Sequence, residues 1–325
     1  MNLVKVMLHL YRIAVNSFRE SLREPVYFLM LFGALLIIGH YPWMTLFVFR
    51  EQLKLVVDGA MATTMLFSLA VCVLCATSTV SREMRNGTVL LLLSKPISRW
   101  SFVLGKMLGI LAASSLFCVI CSCASVISVF IAEDQFRLEM TLYLVFLGIL
   151  AVACAAGMVM NFLKGSSFSE FSAYAAAVLV AGMLAYCMKF LHHPELSLPD
   201  LFKALLLLLP AVGIMSTLAV AFSTRFDVVP SMCLCTAVFF LGLMSSFLFG
   251  GESASPAVSA INSLLYAAIP NWQFFWMADA MAVYRSIPTG YVLGAFGYAI
   301  LYSVIVMIWA VVLFQNREAA GSNDN

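Results

Sequence analysis

The sequence predicts an all-α polytopic membrane protein with about eight transmembrane helices, led by an amphipathic helix at the membrane surface, and three observations predict it. Of 325 residues 63% are hydrophobic and 10% charged, with mean hydropathy +1.01, a balance foreign to soluble domains. Mostly apolar runs of about 20 residues recur along the chain, the length a helix needs to cross hydrocarbon. Their lack of alternation excludes a barrel. Finally, the basic residues divide unevenly between the two sides those runs would create.

Residues 1–24 set Val4, Leu8, Tyr11, Val15, Phe18 and Leu22 at helical spacing and keep Lys5, Arg12, Arg19 and Arg23 on another face. That pattern describes an interface helix whose basic face suits anionic headgroups, and it fits a groove on a partner protein equally well. A charged amphipathic segment without a small-residue cleavage pattern argues against a signal peptide. Residues 25–325 read as one membrane domain. Its apolar spans lie at about 26–48, 58–80, 101–131, 139–163, 171–191, 201–222, 230–249 and 290–314. Residues 251–289 are moderately apolar, broken by Pro256, Pro270 and Pro288, and rich in Trp and Tyr. They predict a re-entrant segment that dips into the outer interface with Trp272 and Trp276 at headgroup level.

Eight spans put both ends of the chain on one side. With that side inside, Lys5, Arg12, Arg19, Arg23, Arg82, Arg85, Lys95, Arg99, Lys106, Lys164, Arg225 and Arg317 are inner. Arg50, Lys54, Arg137, Lys189, Lys203 and Arg285 are outer, so the inner side holds twice as many. The positive-inside rule favours this orientation over its reverse.

Residues 81–100 then connect the second and third spans on the cytoplasmic side. Arg82, Glu83 and Arg85 sit where the second helix leaves the membrane, and Asn86-Gly87 signals a turn. Thr88–Leu93 supplies only about 9 Å of helix, too short to enter and leave a bilayer. Pro96 blocks continuation, Ser98 is placed to cap the next helix, and Arg99 faces the headgroups. An ordinary basic loop needs the cations, but it has no use for five consecutive apolar residues.

The order Arg82-Glu83, Gly87-Thr88, Val89 to Leu93, Ser94-Lys95-Pro96-Ile97-Ser98-Arg99 and Gly105-Lys106 resembles the permease subunits of ABC-2 type ABC transporters. The basic amphipathic start, the broken segment before the last span and the ending Phe314 to Ala319 resemble that family as well. The resemblance implies that residues 81–100 form a coupling segment docking on a separate cytoplasmic ABC ATPase. Arg82, Glu83, Arg85, Gly87, Thr88, Pro96 and Arg99 would be its coupling residues, with Gly87 and Thr88 shaping the elbow. It further implies a pair of permease copies, or two related permeases, in the cytoplasmic (inner) membrane of a bacterium, moving a substrate outward. Six spans are usual in the family. The two additional runs fall in residues 171–222 and are either extra spans or segments that do not cross.

The chain contains no Gly-x-x-x-x-Gly-Lys-Ser/Thr, so it is not expected to be an enzyme, and ATP hydrolysis would belong to a partner. The alternative class is an ion-coupled secondary transporter, or another polytopic protein with no ATPase partner. It would need a titratable group near the bilayer centre. No span has a mid-span Asp or Glu. His40 reads as part of a kinked, aromatic span end, and Glu170 and Asp279 read as solvated. Catalysis finds no support either, since the four His form no HExxH and face no carboxylate pair. Cys72-x-x-Cys75 has no second pair to complete a zinc site, so neither metal nor cofactor is expected. A net charge of +2 spread along the chain argues against a nucleic-acid partner. Gly105-x-x-x-Gly109 and Gly290-x-x-x-Gly294 would allow close helix contacts, consistent with a dimer. Hydroxyls at Thr63, Thr64, Ser68, Ser114, Ser115, Ser122, Ser125 and Ser128 either line a pathway or bond neighbouring helices. So few charges in the spans favour a lipid-like or amphipathic cargo.

Overall fold

The computed structural model describes residues 3–45, 52–82, 99–132, 138–191, 196–249, 256–282 and 285–321. Among them there is no strand. The order begins with α1 (Leu3–Arg23), α2 (Pro25–Met44) and α3 (Gln52–Ala76), which a π-helical turn extends over Thr77–Ser81. It continues with α4 (Arg99–Ile131), α5 (Met140–Lys164), α6 (Phe168–Phe190), α7 (Leu198–Leu206), α8 (Leu208–Arg225) and α9 (Val228–Phe249). Then come α10 (Pro256–Ala268), a 3-10 turn (Trp272–Phe275), α11 (Ala278–Ala282) and α12 (Thr289–Gly321). Eight helical stretches are long and apolar enough to cross a membrane, counting α7 and α8 together. Both apolar runs in the 171–222 region are therefore full-length helices, α6 and the α7–α8 pair.

Burial separates a centre from a periphery. The α7–α8 stretch is 83% buried and α9 only 17%, so α8 forms the core with α3 and α4 while α9, α5 and α12 stay mostly open. α8 packs on α12, α3 and α4, and α5 reaches the core chiefly through α6. Lipid tails are as apolar as Leu, so apolarity alone drives no helix together there, and close packing with interhelical hydrogen bonds must do so.

Proline shows how this works. Pro210, in the first turn of α8, has no N–H for the Leu206 carbonyl and its ring crowds that oxygen, which is where α7 breaks from α8. Pro42 likewise leaves the Ile38 carbonyl of α2 without its helical donor. Ser128 Oγ of α4 donates to it at 2.8 Å, so the defect becomes an α2–α4 bond. Tyr27 of α2 donates to the Ala113 carbonyl at 3.0 Å, and its ring meets Phe117 edge-on. Thr63 bonds Tyr41 at 2.8 Å and Thr64 bonds Ser125 at 3.1 Å. These hydroxyls join helices instead of lining a pathway. His40 Nδ1 lies 3.0 Å from Tyr143 Oη, and Trp43 stacks on the same tyrosine, which places His40 in an aromatic span end.

α1 docks on α4, and of its apolar row Phe18 and Leu22 are packed inward. Leu10, Ile13, Ala14, Ser17 and Phe18 meet Gly105 and Gly109, whereas Leu8 and Tyr11 remain exposed beside Met7. Small residues win because they permit backbone approach. α1 therefore has three faces: one against α4, one exposed and apolar, one basic. Gly105-x-x-x-Gly109 is thus used within the chain, while Gly290 and Gly294 have nothing within 4 Å of an added Cβ.

A Cβ on Gly109 would lie 2.5 Å from the Ala14 carbonyl oxygen and 3.0 Å from the Phe18 nitrogen, backbone atoms that cannot rotate aside. At Gly105 an added Cβ would lie 2.8 Å from Ile13 Cγ2 and 2.9 Å from its Cβ, with the nearest backbone atom, the Leu10 carbonyl oxygen, farther off at 3.3 Å. Gly109→Val is expected to destabilise by about 3 kcal/mol and Gly105→Ala by about 1 kcal/mol, the span of overpacking costs. Thermal unfolding in detergent reads the difference, and hydrogen exchange should show α1 released first in the Gly109 variant.

Candidate coupling site

The corner between α1 and α2 gathers charge because of one dipeptide. Pro25 opens α2 with the φ a first helical turn requires, and it holds the preceding Glu24 extended at φ −63°, ψ 127°. The chain must turn there. One carbonyl left over at the end of α1, that of Leu22, is satisfied from α6, where Ser169 Oγ donates to it at 2.7 Å and lies 3.1 Å from the Glu24 carbonyl.

Three ion pairs converge on this corner. Arg23 Nε lies 2.7 Å from Glu170 Oε2, Arg82 from the end of α3 reaches Glu24 Oε1 at 2.6 Å, and Lys106 Nζ of α4 reaches Glu20 Oε2 at 3.1 Å. Arg23 is in the last turn of α1 and Glu170 in the first turn of α6, positions where each charge also opposes its helix dipole. Glu170 is buried here, contrary to the solvated position expected from the sequence; it lies under α1, where Arg23 replaces water as its partner.

Burial ranks the three. Lys106 has 3% side-chain exposure and Glu20 32%, so this ammonium depends on its protein partners. Arg82 and Glu24 remain 50% and 20% exposed, and a solvated pair of this kind contributes at most about 1 kcal/mol. The Arg82–Glu24 contact is therefore a matter of position more than stability. The site's geometry follows: Arg82 and Lys106, which come before and after residues 83–98 in the sequence, are both held by carboxylates at the end of α1 and the start of α2.

Between α1, the corner and Arg82 lies a polar cleft of about 420 Å³, lined by Asn16, Arg19, Glu20, Arg23, Glu24 and Arg82. Just before Arg82 a π turn over Thr77–Ser81 extends the helix that begins as α3. There Thr77 donates to the Val73 carbonyl at 2.8 Å and Thr79 to Cys75 at 2.7 Å, hydroxyls competing with the backbone ladder where the helix widens. A second cleft of about 530 Å³ opens between α3, α9 and the segment before α12, lined by Met65, Leu66, Phe239, Trp272, Trp276 and Asp279 among others. Among the described residues no group of three His, Cys, Asp or Glu side chains could hold a metal ion. Cys72 is buried, with its thiol 3.6 Å from the Val212 carbonyl.

Of the coupling residues expected from sequence, Arg82 is at this corner. Arg99 is the first residue of α4, its side chain undescribed, and Glu83, Arg85, Gly87, Thr88 and Pro96 lie outside the described residues, as does the short apolar helix expected over Thr88–Leu93. Glu20, Glu24, Ser169 and Glu170 were not legible as part of the site. Two signals pointed there: Glu24 directly precedes a helix-opening Pro, and Lys106 is a lone cation several residues inside an apolar helix.

The fold is that of a multi-pass membrane protein. Residues 34–226 match the profile of the family described as ABC-2 family transporter protein, more than half of the chain, and the chain belongs to that family. The match runs from within α2 to the end of α8 and includes residues 81–100. No curated protein matches the chain.

Removing the carboxylate in Glu20→Ala should cost about 2–3 kcal/mol, below the 3–5 kcal/mol of a fully enclosed pair because Glu20 keeps some water. Lys106→Met, which removes the buried charge and keeps the volume, should cost less. Denaturation of the two variants in one detergent tests that order.

Proposed function

We propose that the chain is the transmembrane permease subunit of an ABC-2 type exporter, driven by ATP hydrolysed on a separate cytoplasmic ABC ATPase that grips residues 81–100. It works beside a second permease copy or a related permease in a bacterial cytoplasmic membrane, with both ends of the chain in the cytoplasm. The observation that carries this reading is that the segment's two stems are tied to one corner. Arg82 holds Glu24 and Lys106 holds Glu20, so a push on the segment reaches α1, α2 and α4 together. α1 follows α4 because their backbones touch at Gly109.

Glu83, Arg85, Gly87, Thr88, Pro96 and Arg99 are assigned to the ATPase contact by family resemblance. The cargo is assigned to the second cleft, whose apolar and aromatic walls and rim carboxylate Asp279 suit an amphipathic molecule. Secondary transport would instead need a buried titratable group. Glu170, the buried carboxylate at this corner, stands at a helix end and is bound to Arg23.

In a complex reconstituted with its ATPase, Arg82→Glu and Glu24→Arg should each lower substrate-stimulated ATP hydrolysis about tenfold, and the double variant should recover most of it. Recovery identifies the pair itself, and unchanged hydrolysis in both single variants would remove the coupling role. Orientation is tested by single cysteines at Ser94 and His193, after exposed Cys233 is replaced by Ser. An impermeant maleimide should label them from opposite faces, and labelling from one face would reject the topology.

A further inference from the structure

The cleft at the α1–α2 corner holds more cation than its ion pairs consume. Glu20 is taken by Lys106, Glu24 by Arg82 and Glu170 by Arg23. Arg19, which also lines the cleft, has no carboxylate partner among the described residues. The paired arginines are not saturated either. Each guanidinium carries five N–H donors in a planar fork, and among the described residues the pairs occupy Nε of Arg23 and one terminal nitrogen of Arg82. The cleft is thus one positive charge in excess, with several N–H donors left to point at an acceptor. Asn16 adds a neutral amide to the same wall.

Its surroundings say which acceptor. Arg19 borders the apolar face of α1, one turn beyond Val15 on the row leading back toward Tyr11 and Leu8. Met7 is 65%, Leu8 47% and Tyr11 65% exposed, an uncovered apolar strip on a helix whose other apolar side is against α4. A small inorganic anion would use the arginines and leave that strip untouched. A phosphodiester with acyl chains uses both, as an interfacial helix requires: phosphate among guanidiniums, hydrocarbon along the exposed face. At about 420 Å³ the cleft has room for a phosphate and its glycerol ester.

We infer that the cleft lined by Arg19, Arg23 and Arg82 is a binding site for the phosphate of an anionic phospholipid, whose acyl chains lie along Met7, Leu8 and Tyr11. A bound phosphate also competes with Glu24 for Arg82, so the lipid loosens one of the two ties on residues 83–98. The site stands on the geometry of the corner and does not depend on the transport reading.

The full-length protein in a neutral detergent is titrated with dioctanoyl-phosphatidylglycerol and binding is read by native mass spectrometry. The expected result is saturable binding weakened about fivefold by Arg19→Gln, the loss of one charge-assisted contact at a partly exposed site. Arg12→Gln, on the same basic face but outside the cleft, should leave affinity unchanged. Tyr11→Gln should weaken the lipid, and inorganic phosphate should compete only at far higher concentration. Equal losses from Arg12→Gln and Arg19→Gln would reduce the site to a general basic surface and overturn the proposal. So would an unchanged Arg19 variant, or inorganic phosphate displacing the lipid at equal concentration with Tyr11→Gln silent, which would make the ligand free phosphate.

Discussion

The seam between α1 and α4 is the contact on which the rest of the structure depends. Two glycines remove the side-chain bulk that would hold the helices apart, and the carbonyl of Ala14 comes within reach of Gly109. At that spacing Glu20 can meet Lys106, and only then is an ammonium tolerable inside an apolar helix. The same docking sets the end of α1 over α6, where Ser169 satisfies the Leu22 carbonyl and Glu170 receives Arg23. Backbone approach comes first, and the charges follow from it.

The corner resolves an old tension in membrane helices, which must bury polar groups to associate yet cannot leave them unsatisfied. Two of the three ion pairs, Arg23–Glu170 and Arg82–Glu24, sit at helix ends where partial charges of the backbone favour them, while the third sets Lys106, two turns inside α4, against Glu20. Deeper in the spans, interhelical bonds such as that between Thr64 and Ser125, or from Ser128 to the carbonyl freed by Pro42, are neutral and involve hydroxyls. A pattern of this kind keeps the middle of the bundle uncharged. It concentrates the ion pairs at one edge, around the α1–α2 corner.

A smaller counterpart lies between α7 and the approach to α12. Asp200 and Lys203 of α7 pair at 3.0 Å, Lys203 donates to the Ile287 carbonyl at 2.9 Å, and the Ile287 N–H donates to Asp200 at 3.2 Å. That clamp fastens the approach to α12 onto the α7–α8 stretch, so the two ends of the molecule are bound by different elements. The open walls of α9 and α12 lie between them.

Most of the fold was legible because crossing a bilayer is a demand on composition and length that local sequence alone must meet. The eight apolar stretches, the amphipathic start and the broken segment before the last span are all of this kind. So was the family resemblance, carried by the consecutive order Arg82 to Arg99. The site was not legible to the same degree. Arg82 and Glu24 are 58 residues apart and Arg23 and Glu170 are 147, and no spacing rule joins residues across such distances. The face by which α1 docks on α4 was not legible, because hydrophobicity marks what avoids water, and lipid and protein satisfy that equally. Only the tertiary structure, by bringing backbones together at Gly105 and Gly109, decided which apolar face meets protein and which charges find a partner.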